Sequence, residues 1–296
     1  IQNCLVKSPA YKRCVGTVTN HLLQSVLAQL PAAEITAGKI NALLLSKERE
    51  VGGATVNHLR IYIRRSFSAA IQAGRFHAQN PVDSLKVPKR PVPKRKPRFL
   101  KPEQVMPVLQ KVPNRWRGVF ATGIYAGLRK GEIFGLEKSD VDLERRLLNV
   151  RHSHGSDTTK GKHEDVIPIA MELVPYLRDA IDRSICKLVF PRPNGTRWPE
   201  QKNLTSILRS AMRRAGFAVG YVHKCRRKGC GHQEESQQGD QRCCPRCKMK
   251  LWRFANVEPL RFHDMRHTTA ALLIRLGANP AAVQQSLIHI SEPTRL

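Results

Sequence analysis

The chain has few acidic residues for its size. It carries 23 Asp and Glu against 51 Lys and Arg in 296 residues, a formal net charge of +28. This imbalance exceeds what solubility requires. It indicates a polyanionic partner, because basic side chains that bind phosphates gain free energy from counterion release. A ribosomal-type scaffold or a membrane-surface protein would also explain the charge.

Long apolar runs are also lacking. No stretch of 18 apolar residues occurs, so a transmembrane helix is not expected, and no signal-peptide pattern opens the chain. The first residue is not Met, from which we expect an incomplete N terminus. The length suffices for two domains, and no long-period repeat is present.

The first third of the sequence predicts a helical domain, residues 1–85. Its clearest segment is residues 54–76, where apolar side chains recur at helical spacing and several arginines occupy the other face. Residues 86–98 then contain seven Lys or Arg and four Pro. Proline keeps such a segment extended, so we interpret it as a basic linker able to follow a phosphate backbone. A nuclear-localisation signal is the alternative.

A second, larger domain is expected over residues 99–296. Two strands are predicted at residues 147–152 and 164–169, joined by a polar turn rich in Gly and Lys. Amphipathic helices are predicted at residues 171–183, 204–215 and 263–276.

Five of the eight cysteines crowd into residues 225–247, a pattern that favours a metal site over disulfides. The spacing predicts a zinc ribbon inserted at residues 222–252, with two knuckles supplying four thiolates to tetrahedral zinc. The predicted ligands are Cys225, Cys230, Cys244 and Cys247. Replacement of Cys244 by Cys243, or use of His232 as a ligand, is the minor alternative. The ribbon would fold its loop, contact DNA through its basic side chains or contact another subunit.

Two arginine-containing segments lie far apart in the chain. One places Arg129 after Gly127-Leu128, and the other places Arg266 three residues after His263. Each arginine offers a flat fork that binds two phosphate oxygens. If both forks meet at one phosphodiester, they stabilise the charge of the pentavalent state without metal or ATP.

These segments resemble a known family. Residues 126–133, with Leu136 and residues 139–142, resemble the first arginine box of the tyrosine recombinases, the phage-integrase family, and residues 263–268 resemble the second box. The resemblance covers about residues 16–285 and includes the helical core-binding domain. It implies a mainly α fold with a small antiparallel β-sheet (α+β), in which that domain precedes a DNA breaking-rejoining domain.

The resemblance also implies residue roles. Arg129 and Arg266 would hold the scissile phosphate, and His263 would assist proton transfer or hold the phosphate. Glu132 would orient the Arg or His side chains of the site. A lysine on the hairpin turn would protonate the leaving 5′-oxygen. We favour Lys160, with Lys162 as the alternative.

The family's nucleophile is a tyrosine about thirty-two residues after the second arginine, which forms a covalent phosphotyrosyl link. The five tyrosines here, Tyr11, Tyr62, Tyr125, Tyr176 and Tyr221, all precede the second box, so we expect the nucleophile to be missing from this chain. Residues 286–296 resemble a translated sequencing adapter, and we expect natural sequence to end near Gln285. His289 nevertheless falls in the register of the family's third-box histidine, either as a genuine site residue or by coincidence.

The resulting hypothesis is a site-specific recombinase of a mobile element that binds double-stranded DNA, acts as a homo-tetramer at synapsis and resides in the cytoplasm at the nucleoid. It would need no catalytic cofactor and no membrane, but it would bind a structural zinc ion. The alternatives are a non-catalytic zinc-ribbon DNA-binding protein and a type IB topoisomerase. A fragment without the nucleophile is expected to be inactive.

Overall fold

A computed structural model describes residues 9–84, 89–92, 96–151, 165–199 and 201–283. The chain divides into two compact units, Ile1–Arg95 and Lys96–Leu296. The division therefore falls inside the basic segment, residues 86–98.

The first unit is helical. Its helices are α1 (Pro9–His21), α2 (Ala37–Glu48) and α3 (Gly53–Gln72), with 3-10 turns at Val26–Gln29 and Ala32–Glu34. Helix α3 buries four apolar side chains at helical spacing against α1 and α2, namely Val56, Leu59, Ile63 and Phe67. It ends at Gln72, four residues before the predicted end, and Gly74 follows with φ +64°. Glycine tolerates that left-handed backbone and terminates helices for this reason.

Part of the basic segment is attached to this unit. The Asn57 side chain donates a hydrogen bond to the carbonyl of Arg90 (3.0 Å) and accepts one from its N–H (2.9 Å). The Arg90 guanidinium also pairs with Glu48 at 3.0 Å. These contacts fix the position of Arg90 on α2 and α3.

The second unit is built around one central helix. Its helices are α4 (Pro102–Lys111), α5 (Asn114–Tyr125), α6 (Lys130–Gly135), α7 (Val174–Arg183), α8 (Thr205–Arg214) and α9 (Met265–Arg275). Three 3-10 turns lie at Lys138–Asp140, Met171–Leu173 and Phe262–Asp264. Helix α5 is buried over nearly its whole length and packs against α4, α7 and α9. Its apolar side chains are therefore the centre of the core.

Two small antiparallel sheets complete this unit. The first contains β1 (Val141–Asp142), β2 (Leu147–Val150) and β3 (Asp165–Pro168), in the order β1-β2-β3, with Leu148 opposite Ile167. The second contains β4 (Gly220–Lys224), β5 (Gln233–Ser236) and β6 (Trp252–Asn256), in the order β5-β4-β6. The predicted α+β fold class is confirmed, with a second sheet in the cysteine-rich segment that extends slightly beyond residues 222–252. Among the described residues, no helix has the length and apolarity needed to cross a membrane.

Candidate active site and metal centre

The first arginine segment turns sharply between two helices. Helix α5 ends at Tyr125, and Gly127 follows with φ +65°. A Cβ at Gly127 would lie 3.2 Å from the Thr269 hydroxyl, so both the backbone angle and the close approach of α9 require glycine. Arg129 then occupies the N-cap of α6, where its N–H donates to the Glu132 carboxylate at 2.7 Å.

The second arginine segment begins with a capped turn. The buried Asp264 carboxylate accepts a hydrogen bond from the Arg261 N–H at 2.8 Å, which closes the Phe262–Asp264 turn before α9. Arg266 is the second residue of α9. The Thr269 hydroxyl, one turn later, donates to the Ile124 carbonyl at 2.7 Å and fixes α9 beside the end of α5. The two arginine segments are thereby brought together.

The two arginines meet at one carboxylate. Arg129 Nη1 lies 2.9 Å from Glu132 Oε1, and Arg266 Nη1 lies 3.8 Å from Glu132 Oε2. The side chains of Glu132 and Arg266 are only 5% and 6% exposed, whereas Arg129 is 23% exposed. A single buried carboxylate therefore holds two guanidinium groups that are far apart in sequence.

The positive charge of this cluster is only partly neutralised. Burial lowers the pKa of Arg266 to about 10, with the Glu132 carboxylate opposing this shift and the Arg129 charge adding to it. Arg266 remains cationic at neutral pH because that pKa is still well above 7. Its Nη1 and Nη2 are buried without a hydrogen-bond partner in the described part of the chain. Buried guanidinium nitrogens without acceptors are costly, and an anion with several oxygens would satisfy them.

His263 borders the same cluster. Partial burial of its ring lowers the pKa, and the charges of Arg266 and His267 lower it further. The His263 and His267 rings lie 6.5 Å apart between centroids. His263 as a whole residue is nevertheless exposed, so solvent can reach it. A neutral imidazole beside two arginines can accept a proton or donate a hydrogen bond at neutral pH.

Other predicted site residues lie outside the described residues, namely Lys160, Lys162 and His289. Of the tyrosines, Tyr125 is nearest to Arg129 in sequence. Burial, with the nearby Tyr176 and Glu172, raises its pKa to about 12, and its hydroxyl lies 3.6 Å from Met106 Sδ. That environment does not activate a phenol as a nucleophile.

The cysteine cluster forms a compact set of thiols. The Sγ atoms of Cys225, Cys230, Cys244 and Cys247 all lie within 4.8 Å of one another. Cys225 and Cys247 are separated by 3.4 Å, and Cys230 and Cys244 by 3.6 Å. Zn–S bonds of about 2.3 Å in a tetrahedron place sulfurs about 3.8 Å apart. These four residues could therefore bind a metal ion of the size and preference of zinc.

The second knuckle shows why these thiols suit a metal. A hydrogen bond from the Met249 N–H is the main cause that lowers the pKa of Cys247 to about 6. Backbone N–H groups directed at sulfur favour the thiolate, which is the form that binds metal. Cys244 is fully buried, whereas Cys243 is exposed, and His232 lies 3.2 Å from Glu234. The geometry places Cys244, rather than Cys243 or His232, in the cluster.

Comparison with known proteins shows what this fold and this site are similar to. Residues 98–238 match the family model described as the phage integrase family. The chain is 32% identical to tyrosine recombinase XerA of Thermococcus kodakarensis over 189 residues, covering 59% of this chain and 64% of that protein. It is 22% identical to the ICEBs1 integrase of Bacillus subtilis over 284 residues, covering 94% of this chain and 69% of that protein. Over the matched residues the chain is similar to the phage integrase family, and the relatives it resembles include proteins named tyrosine recombinases.

A solved structure shows the same fold. The Tn1549 transposon integrase, in complex with a circular intermediate DNA, superposes with a TM-score of 0.69 at 18% sequence identity, covering 100% of this chain and 93% of that one. The fold expected from the two arginine boxes is thus confirmed, and the match over residues 98–238 supports the expected family. The chain spans less than two thirds of the length of the XerA relative.

Proposed function

We propose that this chain is the DNA-binding and phosphate-activating part of a site-specific recombinase of a mobile element, which cuts and rejoins DNA through a 3′-phosphotyrosyl intermediate. The convergence of Arg129 and Arg266 on Glu132 carries the proposal. The match of residues 98–238 to the phage integrase family model and the likeness in fold to a transposon integrase support it.

Charge stabilisation is the task of the arginine pair. A phosphodiester between them would accept hydrogen bonds from Arg129 and from the unsatisfied nitrogens of Arg266. These bonds strengthen as negative charge accumulates on the non-bridging oxygens. Glu132 holds both guanidinium groups in place before DNA binds, so little reorganisation is needed during the reaction. His263 would hold a phosphate oxygen or assist proton transfer.

Two further groups complete the proposed reaction. A tyrosine hydroxyl loses its proton to His263 and its oxygen attacks phosphorus. The bond from phosphorus to the 5′-oxygen breaks, and the leaving oxygen takes a proton from Lys160, or from the alternative Lys162. His289 would be an additional phosphate ligand. None of the five tyrosines here fits the nucleophile, so the proposal requires a tyrosine in a longer chain.

The other components are assigned by charge and chemistry. Double-stranded DNA is the proposed partner, with four protomers at synapsis and the protein located at the nucleoid. The helical unit and the basic segment, residues 86–98, would grip the phosphate backbone. The four clustered cysteines would hold a structural zinc ion, which supplies folding free energy to the ribbon and takes no part in catalysis.

A trapping experiment tests the proposal. A longer chain that continues through the expected tyrosine is incubated with nicked suicide substrates that carry the element's ends, and covalent protein–DNA adducts are resolved on denaturing gels. We expect an adduct with the wild type and a loss of at least about a hundredfold in its formation rate with Arg129→Ala or Arg266→Ala, since each removes one oxyanion contact.

The matched control is Arg145→Ala, which removes an exposed arginine that pairs with Asp142 and is not part of the cluster. It should form adduct at the wild-type rate. If no longer chain forms an adduct, the non-catalytic DNA-binding alternative is supported. If the protein forms adducts and relaxes supercoils without exchanging strands, a topoisomerase is supported. Near wild-type cleavage by Arg266→Ala refutes the assigned role of the cluster.

A further inference from the structure

Strand β6 presents two large aromatic side chains to solvent. Side chains alternate along a strand, so Trp252 and Phe254 share one face. They are 54% and 40% exposed. Strand β6 lies at one edge of the β5-β4-β6 sheet, with Val222 of β4 directly opposite Phe254. Exposed aromatics adjacent on one sheet face indicate a binding surface.

Two cations accompany these rings. The Arg226 guanidinium carbon lies 3.8 Å above the Trp252 ring and 5.7 Å from the Phe254 centroid. Lys224 Nζ lies 5.9 Å from the Phe254 centroid. We call these four residues the aromatic face. It combines flat apolar surface with positive charge held in place by cation–π contacts.

The surrounding charge selects the kind of partner. The segment Gly220–Asn256 has nine Lys or Arg and only three Asp or Glu. Two of those acids, Glu234 and Asp240, pair with Arg242 at 3.3 and 3.0 Å. A second copy of the aromatic face would bring like charges together. A polyanion with flat rings matches both features, and nucleic acid has that chemistry.

The aromatic face is held on a fixed frame. Arg213 of α8 donates to the Ala255 carbonyl at 2.8 Å, and the Val219 N–H donates to the Asn256 carbonyl at 2.8 Å. The cysteine cluster lies in the loops of the same sheet. A preorganised surface loses little entropy when it binds.

We propose that the aromatic face binds unpaired DNA, with bases stacking on Trp252, Phe254 and the Arg226 guanidinium. Bases in a duplex already stack on each other, so side-chain stacking favours a strand with free bases. This function goes beyond the proposed phosphate chemistry and needs neither Arg129 nor the nucleophile.

The experiment measures the affinity of the 296-residue chain for a labelled single-stranded oligonucleotide and for the corresponding duplex by fluorescence anisotropy. Trp252→Ala and Phe254→Ala should each weaken single-strand binding by about fivefold or more, because stacking on one aromatic contributes at least that much. Duplex affinity should stay nearly unchanged. Trp252→Phe should restore most of the single-strand affinity.

Trp252 also provides a direct signal, since a stacked base quenches indole emission. Quenching by the single strand should be present in the wild type and lost in Trp252→Phe, although that variant still binds. Val166→Ala, which shortens an exposed side chain on β3, is the control and should match the wild type. A metal content equal to that of the wild type shows that the cysteine-rich segment of each variant is folded.

Three results would overturn the proposal. Unchanged single-strand binding in both alanine variants would show that the face is unused. An equal loss for single strand and duplex would show general charge attraction. A change in oligomeric state, without a change in DNA affinity, would show that the face contacts another copy of the chain.

Discussion

Replacing Glu132 with Gln tests whether one carboxylate organises the arginine cluster. The substitution preserves size and removes the charge that faces Arg129 at 2.9 Å and Arg266 at 3.8 Å. Two guanidinium groups are then left close together without a counter-charge. Arg266 cannot turn to solvent because it is buried in α9 beside the end of α5.

The magnitude follows from burial. Breaking a buried ion pair costs about 3–5 kcal/mol because one charge stays uncompensated. Arg129 is partly exposed and can rehydrate, so we expect the lower end, about 3 kcal/mol. For a unit of this size that corresponds to a fall in Tm of about 6–12 °C.

Thermal unfolding of wild type and Glu132→Gln, each with and without sulfate, measures the effect. Sulfate should raise the Tm of the variant more than that of the wild type, because the uncompensated arginines then bind the anion. Glu103→Gln is the control, since Glu103 pairs with Arg275 at 3.7 Å between exposed side chains, and such pairs contribute about 0–1 kcal/mol. A Tm for Glu132→Gln that matches this control would refute the reasoning.

Three other substitutions probe the metal cluster, the histidine and the glycine turn. Cys244→Ser should release zinc and lower the Tm, while Cys243→Ser should keep a full metal content by elemental analysis, because only Cys244 lies among the clustered thiols. Folding depresses the pKa of His263, so the unfolded chain binds more protons and stability should fall as pH drops below about 6.5. His263→Gln should reduce that fall in urea titrations, and an identical pH dependence would exclude this origin. Gly127→Ala should lower the free energy of unfolding by at least about 1 kcal/mol more than Gly277→Ala does. Both glycines have positive φ, but only a Cβ at Gly127 would also meet Thr269. Equal losses of stability in the two variants would show that α9 accommodates the methyl group.

The arginine cluster was largely predictable from the sequence. Gly127 before Arg129, and His263 before Arg266, predicted two phosphate-binding segments, and the resemblance assigned Glu132 a supporting role. The structure adds that Glu132 contacts both arginines, a geometry that depends on how α5 and α9 pack and has no local sequence signal. The roles of Lys160 and His289 stay predictions.

Local patterns also predicted helices α3, α7, α8 and α9, and they failed where a side chain changed the backbone. Residues 263–276 were predicted as one helix, but the segment begins as a 3-10 turn, Phe262–Asp264, because Asp264 bonds the Arg261 N–H. The Cys-Pro-x-Cys knuckle correctly favoured Cys244 over Cys243 for the cluster. No strand was predicted at Trp252–Asn256, since its pairing with β4 joins residues distant in sequence.

The contacts of the two threonines after Arg266 have a consequence for biosynthesis. Thr268 accepts a hydrogen bond from the Leu100 N–H, 168 residues earlier, and Thr269 bonds Ile124 across 145 residues. Joining residues so far apart in the chain closes a long loop, and the entropy of the chain falls before these contacts stabilise the fold. While the ribosome is still translating residues 130–260, Arg129 lies beside a core that lacks α9. Binding of a phosphate by Arg129 and Arg266 together should therefore become possible only late in synthesis, once α9 has packed beside the end of α5.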